Sequence, residues 1–336
     1  MVRFCLSDRR NVRKPGEILE DEYKRISESL PKNDPLSIRE LQQVVKSEIN
    51  CLNTNEFRNR SMKLSSPWAY FLFTFILSWS FTIPIALTGK SLEQSPALMV
   101  LYALGGLGPA ISAVLLVYLT QNKWRQRDYL RRIVDFRRIP PLWYGVILLT
   151  VPAITALAAL IDRLFGGPGI RLEEAARLLA EPLALFPFTL FILFFGPLPE
   201  EIGWRGYALD RLQSRLNALN SSFILGGLWA IWHLPQFFIR GTYQHDLGFG
   251  LPPSFWTFAV TIVCQSLLYT WIYNNTRRST LSAILFHFMT NFVGELFELS
   301  QRAEWFALIL WILTAIFVGM IWEYRTLPEK IPEDDI

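Results

Sequence analysis

Residues 68–87 read WAYFLFTFILSWSFTIPIAL, twenty residues without an Asp, Glu, Lys or Arg. At about 1.5 Å per residue, a helix of this length covers the ~30 Å hydrocarbon core of a bilayer. A helix at the surface of a water-soluble core would carry a polar face. A strand of a membrane barrel would alternate over ~10 residues. The run does neither. Seven further runs repeat the pattern, at 97–119, 142–161, 182–199, 222–239, 254–274, 279–294 and 305–322, again without a charged residue. Together they predict an all-α polytopic membrane protein with about eight transmembrane helices.

Composition points the same way. Apolar residues make up 51% of the 336 and charged residues 18%, against about 25% charged in ordinary soluble domains. Net charge is only +4, which argues against a nucleic-acid partner. Cys5, Cys51 and Cys264 form no CxxC pair, so neither a disulfide framework nor a zinc ribbon is implied.

The basic residues set an expected orientation. Seven Lys and Arg fall between Gln121 and Pro141. With that loop in the cytoplasm, both termini are cytoplasmic, and basic residues outside the N-terminal tail divide 14 to 6 in favour of that side. Residues 1–64 are polar and densely charged, an expected partly disordered cytoplasmic tail with a short amphipathic helix possible over Ser37 to Ile49. Residues 65–324 form the expected membrane domain, and 325–336 a short acidic C-terminal tail.

Polar residues at membrane depth carry the functional signal, because ionisable groups are costly there. Glu200 and Glu201 end the fourth apolar run. Glu201 and Arg205 are four residues apart, hence about 40° apart on a helix, with Glu first, the favourable order for an ion pair. Glu200 lies about 140° from Arg205 and is left to face something else. Such a pair is equally at home as a structural ion pair at a water-facing helix end. His233 falls inside the fifth run, on one face with Trp229. His287 and Asn291 share a face of the seventh. A lone intramembrane His or Asn is often interhelical glue, yet two of the three histidines lie in runs entered from the side of Glu200. An intramembrane cavity could therefore collect Glu200, His233, His287 and Asn291. Glu295 and Glu298 read as structural, facing water or an interface cation such as Arg302, and His245 as a loop residue. Gly105-Gly106-Leu107-Gly108-Pro109 lies within an apolar run, where close helix packing is its expected role.

These residues resemble the CPBP family, the CAAX proteases and bacteriocin-processing enzymes also called the ABI family. The family pattern EExxxR, [FW]xxxH, Hxxx[ND] matches Glu200-Glu201-x3-Arg205, Trp229-x3-His233 and His287-x3-Asn291, in that order. Gly196-Pro197, Gly206-Tyr207, Ser78-Trp79 and Gly108-Pro109 are similar in context. The departure is Trp229, where the eukaryotic type II CAAX prenyl protease has Phe.

The resemblance implies an intramembrane glutamate-type endopeptidase acting on a membrane-associated protein or peptide, such as a CAAX-type or prenylated one. Glu200 and His233 would activate water, and His287 and Asn291 would stabilise the oxyanion. Glu201 and Arg205 would hold the helix end, with Trp229 packing nearby. No cofactor is expected. A zinc protease built on His233, His287 and a Glu is the alternative, as is a non-enzymatic scaffold or bacteriocin self-immunity protein. The expected location is a bacterial plasma membrane.

Overall fold

The computed structural model describes residues 66–250 and 253–325, together with Lys24. The expected tail, its amphipathic segment and the acidic C-terminus lie outside these residues.

Helix α1 spans Pro67–Thr88. Proline at its first position has the φ a helix needs, and Gly89 ends it at φ +62°, the left-handed conformation that glycine adopts without penalty. The second apolar run is two helices, α2 (Pro96–Gly106) and α3 (Gly108–Thr120), bent by 43°. Pro109 enters at the start of α3, where a helix tolerates proline. The glycines are there for close approach. A Cβ on Gly108 would stand 2.0 Å from Ser78 Oγ, and one on Gly105 2.9 Å from Thr82 Cγ2.

The basic connection forms a surface helix α4 (Lys123–Val134), capped by Asn122. Then come α5 (Pro141–Leu164), the two-residue strand β1 (Ile170–Arg171), α6 (Glu173–Ala180) and α7 (Leu185–Phe194). After a break at Gly196 the chain continues through α8 (Pro197–Gly203), a π-helical turn (Trp204–Ala208) and α9 (Leu209–Gln213). Next are α10 (Ala218–Trp232), α11 (Tyr243–Leu247), α12 (Pro253–Asn275) and α13 (Thr280–Leu296). Strand β2 (Glu298–Leu299) pairs antiparallel with β1, and α14 (Gln301–Arg325) completes the order.

The all-α architecture agrees with the sequence, but the span count does not reach eight among the described residues. Five continuous helical runs are long and apolar enough to cross a bilayer, or six with the bent pair counted as one. Two expected spans are short helices of 15 and 17 residues, α10 and α13. α10 stops at Trp232 because Pro235 cannot donate to a continuing α-helix. His233 therefore caps that helix instead of sitting mid-span. The fourth span does not end at Glu200 either: the helical run goes on to Gln213, which places both glutamates well inside it.

The packing is that of a membrane protein. Leu72, Ile76, Leu149, Leu160, Leu313 and Phe317 are each more than half exposed, while Glu200, Glu201, Arg205 and His287 are buried. Exposed apolar faces of this extent call for lipid as their solvent. Inside, α10 and α12 approach closely at Gly226, where a Cβ would stand 2.8 Å from Ser266 Cβ, a small-residue contact typical of membrane helices.

Away from the site, Asp162 is fully buried and accepts from Gly169 N and Ser300 Oγ, both at 2.8 Å, and from Arg302. Arg302 thus serves Asp162 and not the two distal glutamates. Glu298 pairs instead with Arg171 across the small sheet, at 3.0 Å.

Candidate active site

The site is built on α8, α10, α12 and α13. Gly196, at the start of α8, lets two of its groups come close: a Cβ there would stand 3.0 Å from Asn291 Nδ2 and 3.9 Å from Glu200 Oε1. Asn291 and Glu200 therefore reach the same small space. The following π-helical turn, closed by Leu209 N–H to Trp204 O, widens the backbone directly after the two glutamates. Such turns recur at functional sites.

The two carboxylates have different partners. Glu201 is fully buried and accepts from Arg205 Nη1 at 2.9 and 3.1 Å. It also accepts from His287 Nδ1 at 3.0 Å. Arg205, equally buried, donates to Ser266 Oγ at 3.1 Å and lies 4.3 Å from the Tyr269 ring centroid and 5.0 Å from that of Trp229. Glu200 takes one hydrogen bond, from Trp229 Nε1 to Oε2 at 2.6 Å.

The imidazoles are held in the same manner. His233 Nδ1 lies 2.8 Å from the Trp229 carbonyl oxygen, which only accepts, so Nδ1 carries the proton and Nε2 a lone pair. His287 Nδ1 faces the Glu201 carboxylate and is likewise protonated. The Trp229 ring stands 5.2 Å from His287 and 6.1 Å from His233. Trp229 thus touches Glu200, Arg205 and both histidines.

Four groups remain without a hydrogen bond among the described residues: Glu200 Oε1, His233 Nε2, His287 Nε2 and Asn291 Nδ2. Glu200, His233 and His287 keep 7%, 7% and 4% of their surface accessible, whereas Glu201 and Arg205 keep none. The first three can meet a reactant; the last two only support.

Glu201 does more than fasten a helix end, and Trp229 more than pack. Ser266 and Tyr269 belong to none of the three sequence motifs. Their signal was the polar stripe Ser266, Tyr269, Thr270, Tyr273 at helical spacing within an apolar run, all four fully buried. No three His, Cys, Asp or Glu side chains converge to hold a metal among the described residues. His245 sits apart in α11, its Nδ1 3.4 Å from Asp246.

Fold and buried polar cluster define an integral membrane protein of all-α architecture. Residues 182–293 match the family described as Type II CAAX prenyl endopeptidase Rce1-like. That segment holds all seven motif residues. The chain is 29% identical over 242 residues to "CAAX prenyl protease 2" of Methanococcus maripaludis, covering 71% of this chain and 88% of that protein. It is 20% identical over 255 residues to "Lysostaphin resistance protein A" of Staphylococcus haemolyticus, 76% of this chain but only 64% of that protein. The chain is thus similar to the CPBP family through its Rce1-like segment. The family match and the Methanococcus relative are both named for CAAX prenyl processing.

Proposed function

We propose that this protein is an intramembrane endopeptidase that hydrolyses a peptide bond in a membrane-associated, CAAX-type or prenylated protein, using water activated by Glu200 and His233. The observation that carries this is the set of four unspent polar groups, each on a side chain otherwise anchored by the fold. Water held by Glu200 Oε1 and His233 Nε2 gives a proton to Glu200 as its oxygen attacks the scissile carbonyl carbon. The carbonyl oxygen becomes an oxyanion, to which Asn291 Nδ2 donates. His287 donates from Nε2 when it is the imidazolium, with Glu201 as its adjacent counter-charge. Glu200 then passes the proton to the leaving nitrogen as the C–N bond breaks. General-base catalysis and preorganised donors together supply the acceleration. Arg205, Ser266 and Tyr269 hold Glu201 in place. The proposed setting is a plasma membrane with both termini in the cytoplasm.

A non-enzymatic role in resistance to a bacteriolytic agent is the second reading, favoured by the name of the staphylococcal relative. The deciding experiment uses the full chain in lipid nanodiscs with a prenylated CAAX peptide carrying a fluorescent reporter. Cleavage by wild type that is lost in Glu200→Gln supports the protease. Unchanged resistance or localisation phenotypes in Glu200→Gln, with no cleavage by either protein, would favour the second reading.

A further inference from the structure

Helix α4, the π-helical turn with α9, and the turn between α12 and α13 meet around a cavity of about 170 Å³. At about 30 Å³ per water, that is space for roughly five waters or one tetrahedral oxyanion with its hydration. Four arginines line it, Arg125, Arg132, Arg211 and Arg278, against two carboxylates, Asp128 and Asp210.

Both carboxylates are already engaged. Asp210 accepts from Arg132 at 2.6 Å, from Arg278, and from Tyr273 Oη at 2.9 Å. Asp128 pairs with Arg138 at 2.5 Å and stands 3.3 Å from Arg132 Nε. Neither Arg125 nor Arg211 has a carboxylate within ion-pair distance among the described residues. Arg211 is only 5% exposed. Its one side-chain hydrogen bond runs from Nη1 to Tyr207 O at 2.9 Å, its guanidinium lies on the Tyr207 ring 3.3 Å from the centroid, and its Nε is buried without a hydrogen-bond partner. A buried cation without an anionic partner is costly, and a planar guanidinium is the donor that best matches a phosphate.

We propose that this cavity binds a phosphate-class oxyanion, presented by a lipid headgroup or as the free ion. Trp124 at the rim is 71% exposed, as befits an indole at headgroup level, and basic pockets between membrane helices suit anionic headgroups. The cavity walls also reach the catalytic segment: Arg132 Nη2 donates to Gly206 O at 3.3 Å, and Tyr129 Oη to Ile202 O at 3.0 Å. An anion held there braces the π-helical turn that follows Glu200 and Glu201.

Native mass spectrometry of the full chain in detergent tests this, with phosphatidylglycerol, phosphatidylcholine and inorganic phosphate as probes. Wild type is expected to retain phosphatidylglycerol over phosphatidylcholine. Arg125→Gln and Arg211→Gln should each weaken retention about tenfold or more, the scale of a lost charge-assisted hydrogen bond. Displacement of the lipid by inorganic phosphate assigns the site to the phosphate group alone; retention against it assigns the site to the lipid headgroup. Equal adducts in wild type and both variants, or no preference for either anion, overturn the proposal. Arg125 is only half-buried, at the rim, so its variant decides alone if Arg211→Gln does not fold.

Discussion

His287 Nδ1 lies 3.0 Å from Glu201 Oε1, on a carboxylate that also takes both bonds from Arg205 Nη1. The second glutamate of the pair therefore sets the ring orientation of one histidine while neutralising a fully buried arginine. Glu201→Gln keeps an acceptor for His287 but leaves Arg205 without its counter-charge. Breaking a buried pair costs about 3–5 kcal/mol. The expected outcome is a large fall in melting temperature together with a fall in turnover, because the His287 imidazolium loses its counter-charge as well. His287→Ala should affect turnover alone: near-normal melting and a loss of about 3–4 kcal/mol in the transition state. Thermal melts beside kcat and KM separate the two.

Trp229→Phe keeps an aromatic ring against Arg205 and the histidines and removes one N–H from Glu200. A hydrogen bond to a charged group contributes about 1.5–3 kcal/mol, so kcat should fall roughly tenfold to a hundredfold, with KM nearly unchanged. Wild-type kcat in this variant would mean that the 2.6 Å contact does not position the carboxylate.

Gly203 faces Tyr70 and Pro109: a Cβ there would come 2.2 Å from Tyr70 Oη and 2.7 Å from the Pro109 carbonyl oxygen. The backbone cannot yield as a flexible side chain can, so Gly203→Ala should destabilise by about 1–3 kcal/mol through overpacking. Gly227 has open space around its Cβ position, and Gly227→Ala is the control that should melt like wild type or slightly higher. Equal melting of both variants would contradict the packing described.

Chelation addresses the zinc alternative. A catalytic zinc needs about three protein ligands that converge with an open position. His233 and His287 each leave Nε2 free, but no three His, Cys, Asp or Glu side chains converge among the described residues, and Glu201 is engaged by Arg205. Cleavage by nanodisc-embedded protein should therefore survive exhaustive chelation. Activity lost to the chelator and restored by added zinc would require a metal mechanism.

Much of this molecule was legible in its sequence because hydrocarbon permits so few solutions. Runs without charge had to be helices, and Glu200, Glu201, His233 and His287 stood out against them. The Glu201–Arg205 spacing gave an ion pair that the structure contains. What escaped depends on breaks in helix periodicity. The stop at Trp232 is written in Pro235, but an apolar count runs straight over it. The π-helical turn at Trp204–Ala208 has no pattern of its own, and it carries the helix beyond Glu200 to Gln213. The contacts of Glu201 with His287 and of Trp229 with Glu200 span 86 and 29 residues, so no local spacing could reveal them. Asp162, just past the third apolar run, meets Arg302 across 140 residues of sequence.

The most direct measurement is single-turnover cleavage of the prenylated CAAX reporter by Glu200→Gln in nanodiscs, beside wild type with matched melting temperature. Gln keeps the shape and the Trp229 contact while removing the base. The expected result is a drop of about 10²–10⁴-fold in the cleavage rate, the range for a lost general base, with reporter binding unchanged. Cleavage by Glu200→Gln at the wild-type rate would contradict the assignment of Glu200 as the base.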